Sequence, residues 1–409
     1  MRLVHPKSAE RMSVNRPDGV EALPTMGVDA PGSPPECRDR LVERARLEWW
    51  LADGGDPTAL AEDFLAAHGV ALSDLARPAA HDPHGTCGAA LFLSAAAGAR
   101  AAGGAAGAPT PAPALPDLVV VVYGHADRPA PPPPAARAGG WWLGQWRDSW
   151  TPAAHAHAVT AVRAAIGRGD VYQVNLVGHA AAGYAGDPLP ALARLAALPG
   201  ARYGGTLSGL GWAIGCASPE TLIAVEHGRL VTRPIKGTRP ATPAGRQELL
   251  ASAKERAEHV MIVDLERNDL ARVARTGSVR VDELFAVRRW CDLWQAESTV
   301  SAAPADGLGL ADLLRAVCPG GSVTGAPKLA ALDEIAAREP VGRGASMGAL
   351  GWVGPGRVDL GLTIRTAAAD AERMHLWAGG GITWGSEPAA EVAEAAAKAG
   401  PIRALLAAP

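Results

Sequence analysis

Residues 205–232 read GTLSGLGWAIGCASPETLIAVEHGRLVT, and within them three apolar runs, at 205–214, 221–226 and 229–232, follow one another across short intervals containing Gly and Pro. Runs of this length with turn residues between them predict strands joined by tight turns, which is the connectivity of an antiparallel sheet. Working outward, a strand at 171–177 is preceded by a helix over about 152–167 and followed by a short helix near 188–197. Beyond residue 232 the pattern predicts one long helix from about Arg246 to Arg275, with Val260, Met261, Leu265 and Leu270 on an apolar stripe. Strands follow at about 279–300, 346–354, 358–366 and 373–378, with helices at about 309–317 and 327–337. A last helix opens after Ser386, a good N-cap, with Pro388 in its first turn, where a missing N–H costs nothing. The expected fold class is α+β: a two-lobed body of large, mainly antiparallel β-sheets covered by helices.

The N-terminal part is harder to read. Residues 1–38 are polar, rich in Pro and Gly and without apolar periodicity, and are expected to form a poorly ordered tail. Residues 39–76 carry helical signals (Leu41, Leu47, Trp50 and Leu51, then Leu60, Phe64 and Leu65) and predict two short amphipathic helices. An Ala/Gly-rich stretch at 95–108 and a proline run at 131–134 read as flexible or polyproline connections on either side of an apolar strand at Leu118 to Tyr123. The chain therefore divides into the tail, a divergent N-terminal part of the fold over 39–149, and an informative region over 150–409.

Composition excludes several classes. Of the 409 residues 48% are hydrophobic and 20% charged, the balance of a soluble globular chain. No apolar run reaches the length of a membrane span and no secretory signal opens the chain, so a cytoplasmic protein is expected. A net charge of −3 without a basic run offers nucleic acid no footprint. The five cysteines (37, 87, 216, 291 and 318) form no CxxC pair, which argues against a disulfide framework or a zinc site and for small buried residues.

Lysine is scarce: only Lys7, Lys236, Lys254, Lys328 and Lys398 stand among 39 basic residues. An amine can be deprotonated and attack carbon, which a guanidinium cannot do, so surviving lysines are candidates for chemistry. Lys236 lies between Pro234 and Gly237 in the segment RPIKGTR, directly after an apolar strand; it is either an activated amine or a surface-turn lysine. Glu220, in Ser218-Pro219-Glu220 at a strand end, is a general acid if burial raises its pKa, and otherwise a solvated carboxylate. Glu255 with Glu258, and Glu391 with Glu394, are spaced i, i+3 on helices, and Lys398 continues the second face; carboxylates pooled from two helices suit Mg²⁺, although each pair taken alone more commonly marks a solvated helix face. The glycine-rich loops at 320–328 and at Gly379, Gly380 and Gly381 miss the nucleotide-binding fingerprints but can offer backbone N–H groups to a carboxylate. Arg365, at a strand end, is a candidate carboxylate clamp or an ordinary ion-pair arginine.

Taken together, Gly169 to Asn175, Ser218-Pro219-Glu220, PIKGT, Glu258 to Leu270, Gly325-Ala326-Pro327-Lys328, Ile364-Arg365-Thr366 and Gly379 to Glu394 resemble, in the same order, the chorismate-utilising enzymes. These are the large subunits of anthranilate and aminodeoxychorismate synthases, with isochorismate and salicylate synthases as relatives. The resemblance covers residues 150–406 and implies an anthranilate synthase component I-like fold. It implies that Glu258 and Glu394, with Glu255 and Glu391 beside them, bind Mg²⁺, which holds the ring carboxylate of chorismate near Lys398. It implies that Arg365 and the Gly379–Gly381 backbone grip the enolpyruvyl carboxylate, that Thr238 also lines the substrate site, and that Glu220 protonates the 4-hydroxyl. Trp352 stands where many relatives have a tyrosine beside the substrate.

Gln173 stands where relatives that add water to the ring have a lysine base, and an amide cannot activate water. PIKGT is the aminodeoxychorismate synthase form, since anthranilate synthases typically have alanine at the position of Lys236. The resemblance therefore implies that the amine of Lys236 attacks ring carbon 2 and that ammonia enters at carbon 4. The position that is histidine in anthranilate synthases falls on Gln295, which fits a product that keeps its enolpyruvyl group, on the way to 4-aminobenzoate for folate or for a specialised metabolite. No Gly-x-Cys-x-Gly elbow is present, Gly85 to Ala89 lacking the last glycine, so ammonia is expected from a glutamine amidotransferase subunit. An anthranilate synthase large subunit and a non-catalytic chorismate-binding or assembly protein are the competing readings.

Overall fold

The computed structural model describes residues 41–77, 86–125, 140–290 and 293–408. The expected tail, the proline run, Cys37 and Cys291 lie outside them. Two antiparallel sheets form the body. The first runs Leu41–Trp49, Leu118–His125, Thr86–Leu93, Ala349–Gly354, Arg357–Leu362, Thr221–Glu226, Arg229–Arg233, Leu293–Ala302 and Ile235–Pro240, with Arg280–Trp290 also paired to Leu293–Ala302. The second runs Gly325–Ala326, Gln173–Ala185, Arg373–Ile382, Thr366–Ala369, Trp212–Ser218 and Tyr203–Gly209, with two short strands added along Gln173–Ala185. Side chains of the two sheets share one core, in which Val177, Ile214 and Cys216 of the second meet Leu91, Ile223 and Leu360 of the first. The expected α+β class of antiparallel sheets under helices is what forms.

The deciding stretch folds as its turns dictate. His227 and Gly228 both adopt positive φ, 50° and 71°, the conformation of a two-residue hairpin loop matched to strand twist, and Glu226 pairs with Arg229 across it. The run read as one strand at 205–214 is two, Tyr203–Gly209 and Trp212–Ser218, because Leu210 and Gly211 turn the chain back. Likewise 279–300 is a hairpin, and 358–366 is two strands that belong to different sheets.

Other expectations are corrected for definite reasons. Residues 41–49 form a strand and not a helix, because pairing with Leu118–His125 along its length overrides local helical preference; the second helix expected there exists as Pro57–Ala67. The Ala/Gly stretch contains a buried helix, Ala95–Ala101, capped by the Ser94 hydroxyl on the Ala97 N–H. Small side chains let it approach closely: a Cβ on Gly98 would lie 3.0 Å from the backbone N of Pro319. The long helix is two, Pro243–Ala251 and Ala253–Ala271, since Ser252 ends the first and caps the second through the Glu255 N–H. The last helix, Pro388–Ala407, is preceded by Glu387 at the cap position, not Ser386. Among the described cysteines, Cys87, Cys216 and Cys318 are buried, as expected. No described helix is long and apolar enough to cross a membrane.

Candidate active site

Glu220 lies just beyond Trp212–Ser218, where the chain passes from the second sheet to the first, and is buried. Its Oε1 accepts a 2.7 Å hydrogen bond from the Ser322 hydroxyl and a longer one, 3.4 Å, from the Ile235 N–H. Burial pushes this carboxyl above the usual range, opposed by Lys236, by the two hydrogen bonds and by Arg365. The Lys236 side chain lies beside it, and its amine donates to the Ser322 carbonyl at 3.2 Å. Burial lowers the pKa of that amine, with Lys398 adding repulsion, against the attraction of Glu220, Glu258 and Glu394. A carboxyl shifted up beside an amine shifted down moves the pair toward a neutral acid and a free amine, the forms that proton donation and nucleophilic attack require. Gly237 makes the turn possible: its φ is 74°, and a Cβ there would meet Leu249 Cδ1 at 2.7 Å and Glu255 Oε2 at 3.1 Å.

The acidic residues come from two helices. Glu258 accepts from the Thr383 hydroxyl at 3.3 Å and has Lys254 Nζ at 3.7 Å. Burial raises its carboxyl, and nearby Glu255 adds to this, against Lys254 and Lys236. Glu255 is occupied by Arg239 at 3.2 Å. From the last helix, Glu391 and Glu394 approach Gly380, whose Cβ would lie 3.3 Å and 3.7 Å from their carboxylate oxygens. Burial raises Glu391 despite the Ser386 hydroxyl, which is where that serine is used in place of capping. For Glu394 burial acts upward, but Lys398, Lys254 and Lys236 together outweigh it and the carboxyl lies below its usual value. Lys398 Nζ donates to Glu394 Oε1 at 2.8 Å and to the Gly379 carbonyl at 2.9 Å, tying helix to strand.

The four glutamates do not form a closed metal cage: among the described residues no three His, Cys, Asp or Glu side chains converge as a metal-holding group. The donor chemistry nevertheless fits Mg²⁺, which takes one or two protein carboxylates and fills its remaining positions with water and substrate oxygens. Glu258 and Glu394 are the pair that both act on Lys236, from opposite helices.

Opposite these groups lie the glycine strand and Gln173. Gly379 pairs with Val177 and Gly381 with Asn175, and a Cβ on Gly381 would lie 3.0 Å from Gln173 Nε2. That buried amide nitrogen and Asn175 Nδ2 have no hydrogen-bond partner within the protein, so two donors on one strand await an acceptor. Arg365 adopts φ 52°, a left-handed backbone that a non-glycine residue holds only when its surroundings demand it, and its charge reaches Glu220.

One sequence candidate, Trp352, sits apart from this group, and another, Thr238, borders it, its carbonyl sharing the Arg239 guanidinium with Glu255. Trp352 is buried in the first sheet, stacked on Tyr123 with ring centroids 5.8 Å apart and packed over Gly88. Thr238 is exposed, cross-strand from the buried Gln295. Sequence reasoning missed three residues. Ser322 lies in the glycine-rich loop that was read only for its backbone, and Glu339 and Arg343 form a buried ion pair behind that loop at 2.7 Å. Their i, i+4 spacing was the one available signal, and it is common to surface helices.

The sequence pattern of the chorismate binding enzyme family matches residues 111–404. Aminodeoxychorismate synthase component 1 from Salmonella typhimurium is 41% identical over 256 residues, covering 61% of this chain and 56% of that protein. Anthranilate synthase component 1 from Streptomyces coelicolor is 39% identical over 257 residues, covering 61% of this chain and 50% of that protein. The chain thus spans about half the length of these curated relatives. Among solved structures, anthranilate synthase component I from Streptococcus pneumoniae shares the fold with a TM-score of 0.73 at 24% identity, over 89% of this chain and 92% of that one. The chain belongs to the chorismate binding enzyme family.

Proposed function

We propose that this chain is the chorismate-converting subunit of an aminodeoxychorismate synthase, Mg²⁺-dependent and supplied with ammonia by a separate glutamine amidotransferase subunit. The observation that carries the reading is Lys236 beside Glu220, an amine and a buried acid joined through one residue, Ser322. The similarity to relatives named aminodeoxychorismate synthase component 1 supports it, and the comparable similarity to anthranilate synthases makes product identity the decisive test.

In this reading chorismate lies between the acid–amine pair and the glycine strand. Arg365 and the N–H groups of Gly379, Gly380 and Gly381 hold the enolpyruvyl carboxylate, and Gln173 offers its unpartnered amide to substrate oxygen. Mg²⁺, held by Glu258 and Glu394 with Glu255 and Glu391 in support, would neutralise the ring carboxylate. The lone pair of Lys236 Nζ forms a bond to ring carbon 2, both conjugated ring double bonds shift by one bond (to carbons 1–6 and 4–5), and the carbon 4–oxygen bond breaks. The hydroxyl leaves as water with the proton of Glu220. Ammonia then bonds to carbon 4 as the carbon 2–nitrogen bond breaks, Lys236 regains its lone pair, and the surplus proton of the new ammonium returns to Glu220. One hard substitution becomes two easier ones, with chorismate and ammonia consumed and water released.

Removing pyruvate afterwards would need a base at the ring, and Gln295 has no useful pKa for that role. Purified protein with chorismate, Mg²⁺ and an ammonium salt should give 4-amino-4-deoxychorismate without stoichiometric pyruvate, read by a coupled lactate dehydrogenase assay. Pyruvate in step with chorismate loss, with anthranilate fluorescence, would overturn the proposal in favour of anthranilate synthesis. Binding without any turnover would leave a non-catalytic chorismate-binding protein.

A further inference from the structure

Behind the glycine-rich loop the guanidinium of Arg343 is buried and makes four hydrogen bonds. Two go to the Glu339 carboxylate, from Nε at 2.9 Å and from Nη2 at 2.7 Å. The other two go to backbone carbonyls on different elements: Nη1 to Val323 at 2.6 Å and Nη2 to Asn175 at 2.8 Å. Glu339 is itself fixed to the same strand, since its Oε1 accepts from the Val177 N–H at 2.9 Å.

The two carbonyls belong to the two halves of the candidate site. Val323 directly follows Ser322, whose hydroxyl holds Glu220 and whose carbonyl holds Lys236. Asn175 pairs with Gly381 and lies two residues from Gln173, on the strand that presents the substrate-binding amides. We propose that Arg343, oriented by Glu339, is a positioning residue that sets the separation between the Glu220–Lys236 pair and the Gln173–Gly381 strand. This rests on the aminodeoxychorismate synthase reading for its consequence in turnover, but not for its geometry.

The chemistry of the guanidinium explains the choice. Its planar fork can serve a carboxylate and two carbonyls at once, at fixed angles, whereas an ammonium is a point donor without that fixed geometry. Burial of the ion pair is otherwise a poor source of stability, because desolvating both charges offsets most of their attraction. A device that fixes geometry is the better account of it.

The test is Arg343→Lys, with Glu339→Gln/Arg343→Gln as a second variant that removes both buried charges together should the first fail to fold. Expected for a folded variant is a fall in kcat of roughly 10²-fold, the scale of an ångström-sized misplacement, with the KM for chorismate changed much less and the thermal midpoint reported separately. Methylguanidinium added to Arg343→Ala should restore part of the turnover. A folded variant with parental kcat overturns the proposal, as does a loss seen only in the thermal midpoint. If the parent protein itself fails to consume chorismate, the functional reading has failed. The positioning proposal is then decided by the rate at which an amine-reactive reagent modifies Lys236, read by mass spectrometry: a rate altered in Arg343→Lys supports it, and an identical rate refutes it.

Discussion

Replacing Ser322 with alanine removes the 2.7 Å hydrogen bond to Glu220 Oε1 while leaving the Ser322 carbonyl in place for Lys236, so it perturbs the acid without removing the amine's contact. The hydroxyl donates to the carboxylate and favours its charged form, which is the direction in which Ser322 acts on this buried group. A hydrogen bond to a charged group contributes roughly 1.5–3 kcal/mol and a tenfold change in ionisation corresponds to about 1.4 kcal/mol, so the limb of the kcat/KM profile that follows Glu220 should move by about one to two pH units. The sign is fixed: losing a donor to the anion holds the proton more tightly, so that limb moves to higher pH while the other stays. Steady-state kcat/KM for chorismate across the pH range measures it, and Ser322→Thr, which restores the hydroxyl, should return the limb toward its parental position. A profile that superimposes on the parent's, or a limb that moves down, refutes the reasoning that Ser322 tunes the acid.

Lys236→Arg keeps the charge and loses the nucleophile, so turnover should fall by at least about a hundredfold, close to the loss in Lys236→Ala, in a chorismate-consumption assay; near-parental activity would remove the covalent role. Glu258→Gln and Glu394→Gln should each weaken Mg²⁺ binding by at least about tenfold, since even outer partners of a metal site are commonly worth that much. Calorimetric titration with chorismate present reads this, and unchanged isotherms in both variants would show that the metal lies elsewhere. His179 is held neutral in the fold, its pKa lowered to about 3 by burial, by His375 and by Arg373. Its folded pKa lies below the unfolded one, so the native state loses stability as pH falls through the unfolded value near 6.5, at about 1.4 kcal/mol per pH unit. Comparing urea unfolding near neutrality with unfolding about two units below 6.5, His179→Gln should lose about 2–3 kcal/mol less than the parent; equal losses in both proteins would place the acid sensitivity in other groups.

The antiparallel character of the fold was legible because short Gly-containing intervals leave a chain no other way to return, as at His227-Gly228. Boundaries were less legible. Leu41–Trp49 carries a helical pattern and becomes a strand only because Leu118–His125 lies beside it, a partner nearly eighty residues away that no local window contains. Ser252 shows the opposite failure, a helix-interior position by periodicity that serves as a cap because the chain changes direction there. In the site, Lys236 and the paired glutamates could be picked out since their residue types are chemically specific. Ser322, Glu339 and Arg343 could not: what distinguishes them is which carboxylate, backbone N–H or backbone carbonyl they meet across 102, 162 and 168 residues of chain.

The scarcity of lysine acquires a physical meaning from the structure. Lys236 faces Glu220, Lys254 faces Glu258 and Lys398 faces Glu394, while Arg239 takes Glu255. Behind them Lys328 meets Asp269 at 2.7 Å, beside a Glu266 carboxyl that burial and Asp269 push above the usual carboxylate range against the pull of Lys328. Of the five acids of the site, three thus face a lysine and a fourth an arginine, and no described trio of carboxylates converges to cage a cation by itself. In the proposed function the incoming pair is a dianionic substrate and a divalent metal, which together add no net charge. A balanced site can admit that pair with little electrostatic cost, whereas either partner alone would have to displace a lysine or leave a charge uncompensated.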